Sequence, residues 1–312
     1  MAKPKHVLAV TDFSDAADTA LRQANGYARM TGAKLTVLHV VPDFVRANPL
    51  FPQGSAEDID TEVELEKRAL DELERRVKDV TGRPQAEVEL AVRIGTVEVA
   101  VVRYAEEHDV DLIVVGATGR TGLSRLLLGS TAERVVRYSH CSVLVARDVP
   151  PSSRVLVSTD LSTAALPAVE RAKEEARLRS AKLDVLHVMD FSALGWAAAA
   201  GPLGGFAVPV PVEKMEEMRR IAVETLQALG GPDAGVHVAE GSPKRAIVSA
   251  AETLHADLVV LGTHGRTGLV RMALGSVAEA VVRSAPCSVL VVRRDAPHVH
   301  PEPFGNFESE SA

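Results

Sequence analysis

Asp111-Leu-Ile-Val-Val-Gly116-Ala-Thr-Gly119, followed by nine residues and then Gly129-Ser130-Thr131, is the stretch from which the fold can be read. Its opening is apolar without alternation, as expected of a strand buried on both faces of a parallel sheet. The stretch returns about 146 residues later as Asp257-Leu-Val-Val-Leu-Gly262-Thr-His-Gly265, nine residues, and Gly275-Ser276-Val277. Between Leu112–Arg147 and Leu258–Arg293, 23 of 36 aligned residues are identical. Shared propensity alone does not produce such a match.

The repeat extends outward from this point. Val7-Leu-Ala-Val-Thr-Asp12-Phe-Ser14 recurs as Val155-Leu-Val-Ser-Thr-Asp160-Leu-Ser162, and Ala33 to Val40 recurs as Ala181 to Val188. A period this long denotes duplicated domains rather than a solenoid. Short apolar runs alternate with helical patterns in each copy, which predicts an α/β fold with a parallel sheet covered by helices. In the first copy strands are expected near 6–11, 34–41, 86–92, 111–116 and 142–147. The Pro- and Ser-containing Asp148 to Ser153 reads as a linker. The expected organisation is a first domain over 1–148, a second over 152–295, and a disordered tail over 296–312, which is rich in Pro, Glu, Ser and His. Asp43 to Glu57 and the Gly/Ala/Pro-rich Phe191 to Val212 are expected as loops.

Composition narrows the function. The chain of 312 residues has 46% hydrophobic and 25% charged residues and a formal charge of −7. This balance disfavours a nucleic-acid partner, whose phosphates call for a basic surface. No apolar run approaches the length of a membrane helix, and the opening residues lack a secretory pattern, so a cytoplasmic location is expected. Cys141 and Cys287 occupy equivalent places, outside any metal or redox spacing, and read as small buried thiols.

The glycine motif carries the chemistry. It begins at the carboxyl end of a strand, where open α/β sheets bind ligands. Glycines there let backbone amides approach phosphate oxygens, and Gly129-Ser130 opens a helix whose positive end favours an anion. Ser130-x-x-Glu133 and Ser276-x-x-Glu279 also fit capping boxes, a structural alternative for those serines. Asp12 and Asp160, at the ends of the first strands, face the same crevice, with Ser14 and Ser162 placed as helix N-caps. Arg120 and Arg266 follow the second glycine and could neutralise phosphate or remain solvated. His39 and His187 read as core or strand-end histidines. His264 has Thr118 in the other copy, so no catalytic base is common to both sites. The chain has neither a Gly-x-Ser-x-Gly elbow nor a P-loop.

Taken together, these residues resemble the universal stress protein family, whose ATP-binding members carry the same Gly-2x-Gly-9x-Gly-Ser/Thr signature. The resemblance spans residues 5–295 and is to the tandem branch. It implies five parallel strands in the order 3-2-1-4-5 per domain and pairing of the two last strands into an intramolecular pseudo-dimer, with further homodimerisation open. It also implies ATP, with Mg2+, as the ligand. Carried over, Asp12 and Val40 would contact adenine, Gly116 the ribose, and Gly119, Gly129, Ser130 and Thr131 the phosphates. The second set is Asp160, Val188, Gly262, Gly265, Gly275, Ser276 and Val277. The expected role is a nucleotide-dependent stress-response binding module with protein partners the sequence does not identify. Slow ATP hydrolysis and a scaffold with structural nucleotide are the alternatives, and Phe191 to Val212 stands where it could cover the second pocket.

Overall fold

A computed structural model describes residues 3–42, 56–119, 128–191, 211–263 and 274–293. Of the loops expected over 43–57 and 191–212, residues 43–55 and 192–210 lie outside these residues, whereas Ala56, Glu57 and Val212 belong to helices; the tail over 296–312 also lies outside, as do Arg120, His264, Gly265 and Arg266.

The first half contains β1 (His6–Thr11), α1 (Asp15–Thr31), β2 (Lys34–Pro42), α2 (Ala56–Thr81), β3 (Glu89–Gly95), α3 (Val97–Glu107), β4 (Leu112–Gly116), α4 (Ser130–Tyr138) and β5 (Ser142–Ala146). The second repeats the series as β6 (Arg154–Ser158), α5 (Leu166–Leu178), β7 (Lys182–Met189), α6 (Val212–Gly230), β8 (Gly235–Glu240), α7 (Pro243–Thr253), β9 (Leu258–Gly262), α8 (Ser276–Ser284) and β10 (Ser288–Val292).

A five-stranded sheet per domain, with the two last strands paired, was expected; that pairing makes the strands one continuous ten-stranded sheet in the order β3-β2-β1-β4-β5-β10-β9-β6-β7-β8. Each half keeps the 3-2-1-4-5 order and parallel pairing, and the halves join through antiparallel β5 and β10, with Leu290 opposite Leu144. The reason is that two otherwise open edges saturate each other's backbone groups. β3 also differs from its expected place at 86–92. Gln85–Glu87 forms a 3-10 turn in which Glu87 donates its N–H to Pro84 O at 3.0 Å, and pairing with β2 begins only at Thr36 and Glu89.

Strand side chains alternate between two helical layers. Leu8, Ile113 and Val115 pack with α3, α4, α7 and α8, whereas Val7, Ala9, Leu112 and Val114 pack with α1, α2, α5 and α6. Covering both faces explains why the β4 sequence is apolar without a break. At the opposite end from the glycine motif, Asp111 accepts the N–H groups of Lys5 (2.7 Å) and His6 (2.9 Å), and Asp257 accepts those of Ser152 (2.6 Å) and Arg154 (3.2 Å). These carboxylates fix where β1 and β6 start against their neighbours.

Cys141 and Cys287 are buried, and burial pushes both thiols up to about 12. Iodoacetamide at about pH 8 is therefore expected to leave both unmodified in the folded chain and to label both after denaturation, because only the thiolate reacts. Mass spectrometry before and after unfolding checks this, and rapid native labelling of either cysteine would contradict it.

Candidate functional site

The turn after β1 is built by side chains onto backbone. Thr11 Oγ1 accepts the Phe13 N–H at 3.0 Å while Phe13 takes a positive φ of 65°. Asp12 Oδ1 accepts both the Ser14 N–H (3.0 Å) and the Ser14 hydroxyl (2.5 Å). Ser14 Oγ in turn accepts the Ala17 N–H at 3.2 Å and caps α1. One Asp12 oxygen is thus committed to shaping the turn. The other, Oδ2, lies 3.0 Å from where a β-carbon on Gly119 would stand.

The second half copies the turn but not the cap. Leu161 has φ 63°, and Asp160 Oδ1 accepts the Ser162 N–H (3.0 Å) and hydroxyl (2.6 Å). However, α5 begins only at Leu166, with Ala165 at the cap and Pro167 in the first turn. Ser162 offers its backbone carbonyl to Ala165 N–H instead, so its expected N-cap role is not realised.

His39 and His187, left by the sequence as core or strand-end residues, have a defined task here. Each donates Nδ1–H at 2.9 Å to the last carbonyl before the acidic turn, Thr11 O and Thr159 O respectively. The Phe13 ring lies 4.3 Å from that of His39. The signal that could have found them is their identical offset from Asp12 and Asp160.

The glycines serve two different ends. A β-carbon on Gly116 would stand 2.8 Å from the backbone C and O of Ala16, so α1 can lie against the end of β4 only over a glycine. Gly129 donates its N–H to Ala117 O at 2.8 Å, which folds the Ala117-Thr118-Gly119 turn back onto the head of α4. Gly275 does the same to Thr263 O at 2.9 Å. Asp12, Gly119 and Gly129 are thereby brought to one crevice between β1 and β4, where the strand order reverses.

The capping-box alternative fails for both serines. The cap residues are Gly129 (φ −67°, ψ 146°) and Gly275 (φ −61°, ψ 145°), and Ser130 and Ser276 are the exposed first helical residues. Glu133 and Glu279 do not reach back to the caps. Glu133 pairs with Arg137 (3.1 Å) and with Arg283 of the other half (2.9 Å), and Glu279 pairs with both arginines at 3.5 Å. A glycine cap has no side-chain acceptor, so the first amides of α4 and α8 are left for an external one.

Of the remaining residues, Val40 and Val188 are buried in the apolar layer beneath the crevice. Val277 packs against that layer, and Thr131 is half-buried. Gly262 ends β9 as Gly116 ends β4. A cavity of about 550 Å³ that sequence reading did not anticipate opens at the ends of β7 and β8, lined in part by Asp190, Glu240, Ser242 and Arg245. Among the described residues no group of three or more His, Cys, Asp or Glu could hold a metal, and no helix is long and apolar enough to cross a membrane.

Comparison with known proteins agrees with this arrangement. The model of the universal stress protein family matches residues 3–147 and again 151–293. A universal stress protein of Mycolicibacterium smegmatis is 30% identical over 296 residues, covering 92% of this chain and 96% of that protein. One from Mycobacterium tuberculosis H37Rv is 29% identical over 314 residues, covering 90% and 93%. The crystal structure of a universal stress protein from Archaeoglobus fulgidus DSM 4304 matches with a TM-score of 0.60 at 23% identity over 93% of this chain and 96% of that one, a likeness of fold.

Proposed function

Because this chain belongs to the universal stress protein family, we propose that each half holds one ATP and that the loaded or empty state sets how the protein engages its partners in a stress response. The observation that carries this reading is the pair of helices, α4 and α8, that start on glycine at a strand-order switch point. Their uncapped amides and positive ends suit phosphate oxygens. Gly119, Gly129, Ser130 and Thr131, with Gly275, Ser276 and Val277, are the phosphate side, joined by Gly265 and by Arg120 and Arg266. Asp12 and Asp160 hold the nucleoside side with Gly116 and Gly262. Val40 and Val188 can meet adenine there only through backbone, since their side chains are spent on the core.

ATP would bring its Mg2+ coordinated by its own phosphates and water, a mode that needs few protein carboxylates. Binding rather than turnover is the proposed activity, because hydrolysis calls for a group that orients water and His264 has only Thr118 as its counterpart.

Denaturing freshly purified protein and quantifying the released nucleotide tests the reading, with two ATP per chain expected. Gly119→Val should lose one of the two. A branched side chain there fills the space against Asp12 Oδ2, while unfolding free energy stays within about 1 kcal/mol for a substitution outside the core. Release of AMP, or of no nucleotide even after incubation with ATP, would overturn the assignment.

A further inference from the structure

Arg147 and Arg293 occupy equivalent positions, each just after the last strand of its half, and each reaches into the opposite half. Arg293 Nη2 donates to Val136 O (2.9 Å) and Arg137 O (2.6 Å), carbonyls in the last turn of α4. Arg147 donates to Val282 O in α8 (2.6 Å) and to Cys287 O beyond it (3.3 Å). Arg147 is 6% exposed, and Arg293 is half-buried. Among the described residues no carboxylate is bonded to either guanidinium, and the acceptors are backbone carbonyls, three of them in the last turns of α4 and α8.

These are the same two helices whose glycine-capped starts face the crevices. A cation at the carboxyl end of a helix bonds its orphan carbonyls and aligns with the helix dipole. The arginine and an anion at the other end therefore complement one dipole from opposite sides. With nine residues, α4 and α8 are each about 13 Å long. The Glu133, Arg137, Glu279 and Arg283 cluster holds the pair side by side across the join.

We propose that Arg147 and Arg293 are positioning residues acting in trans: Arg293 of the second half completes the anion site of the first, and Arg147 of the first completes that of the second. This rests on the nucleotide reading above. Each half then presents a fully formed site only when paired with the other, which gives the fused tandem arrangement a functional consequence beyond covering an open edge.

The test uses the full chain with the first site disabled by Gly119→Val, so that ATP titration calorimetry reads the second site alone. Arg147→Met is expected to weaken that site about three- to tenfold, the Coulomb effect of one charge at helix length in a medium of effective dielectric near 20. Arg147→Lys should recover part of it. Thermal midpoints are measured in parallel. A merely structural role predicts a lowered midpoint with unchanged affinity. Unchanged affinity in Arg147→Met, or equal weakening by Arg147→Lys, overturns the inference. If Arg147→Met does not fold, Arg147→Gln, which keeps a donor without the charge, is read against the same criteria. Binding by the wild-type chain separates the two claims, because absence of ATP binding there removes the nucleotide reading itself.

Discussion

Glu175→Ala is expected to lower the unfolding free energy by about 3–5 kcal/mol, the usual loss when one member of a buried ion pair is removed. Glu175 is fully buried on α5, where its Oε1 accepts from Arg171 Nε at 2.9 Å and its Oε2 from Arg179 Nε at 3.1 Å. The Tyr27 hydroxyl, from α1 of the other half, also donates to it, and Arg171 Nη2 donates to that hydroxyl at 2.5 Å. Burial, then the adjacent carboxylate, pushes the Tyr27 phenol well above its usual range, so it remains a donor throughout the physiological range. Arg171 is only 3% exposed and would be left uncompensated by the alanine. Urea unfolding should show a lower midpoint with an unchanged slope. Replacing the cluster with apolar residues, Tyr27→Phe, Arg171→Met and Glu175→Leu together, should restore most of the loss, because no buried charge then lacks its partner. A single-variant effect below about 1 kcal/mol, the range of exposed pairs, would refute this account.

The cluster also explains why the halves prefer each other. By the repeat, Tyr27 and Glu175 are equivalent positions, as are Gln23 and Arg171. Two first halves joined this way would set Tyr27 against Tyr27, and two second halves would set Glu175 against Glu175 without the tyrosine donor. Only the unlike pairing brings a tyrosine donor to the buried carboxylate. Gln23 takes a different part of the same join, donating to Arg147 O at 3.0 Å and to Ser288 Oγ at 3.1 Å.

The second large effect is expected at Gly116. Gly116→Ala places a methyl 2.8 Å from the Ala16 backbone and 3.1 Å from the Ala17 nitrogen. The obstruction is main chain at the head of α1, which cannot rotate aside, so α1 must move as a body. Such overpacking costs about 1–3 kcal/mol. Because the same helix start is tied to Asp12 through Ser14, the variant should also lose nucleotide at the first site. Gly119→Val provides the contrast, losing nucleotide with little stability. Calorimetry and urea unfolding on both variants separate the effects, and a Gly116→Ala chain with unchanged midpoint and two bound ATP would contradict the packing argument.

Much of the sheet is legible because burial on both faces leaves a direct mark. Leu112 to Val115 and Val289 to Val292 are apolar at every position because alternate side chains enter opposite helical layers. β3 is harder to place, since its start depends on where β2 offers partners and on the turn after Pro84. The serines of the glycine motif mislead for a related reason. Ser-x-x-Glu is a local pattern, but Glu133 has a stronger partner in Arg283, 150 residues away and invisible to any local window.

The sequence by itself determined that there are two copies of one α/β unit, where most of their strands run, and that a glycine motif of equal spacing and an aspartate after the first strand recur in both. These properties are written in near-neighbour periodicity and in the repeat. The family resemblance implied that the two last strands pair, but only the tertiary structure decided the register in which β5 meets β10 and that the result is one sheet, that Tyr27 faces Glu175, that Gly116 yields to the backbone of α1, and that each terminal arginine crosses to the other half's helix. Backbone pairing at an open edge is nearly indifferent to side-chain identity, so the pattern of a strand does not name its neighbour. Once that neighbour is chosen, it determines which buried charges and helix ends meet.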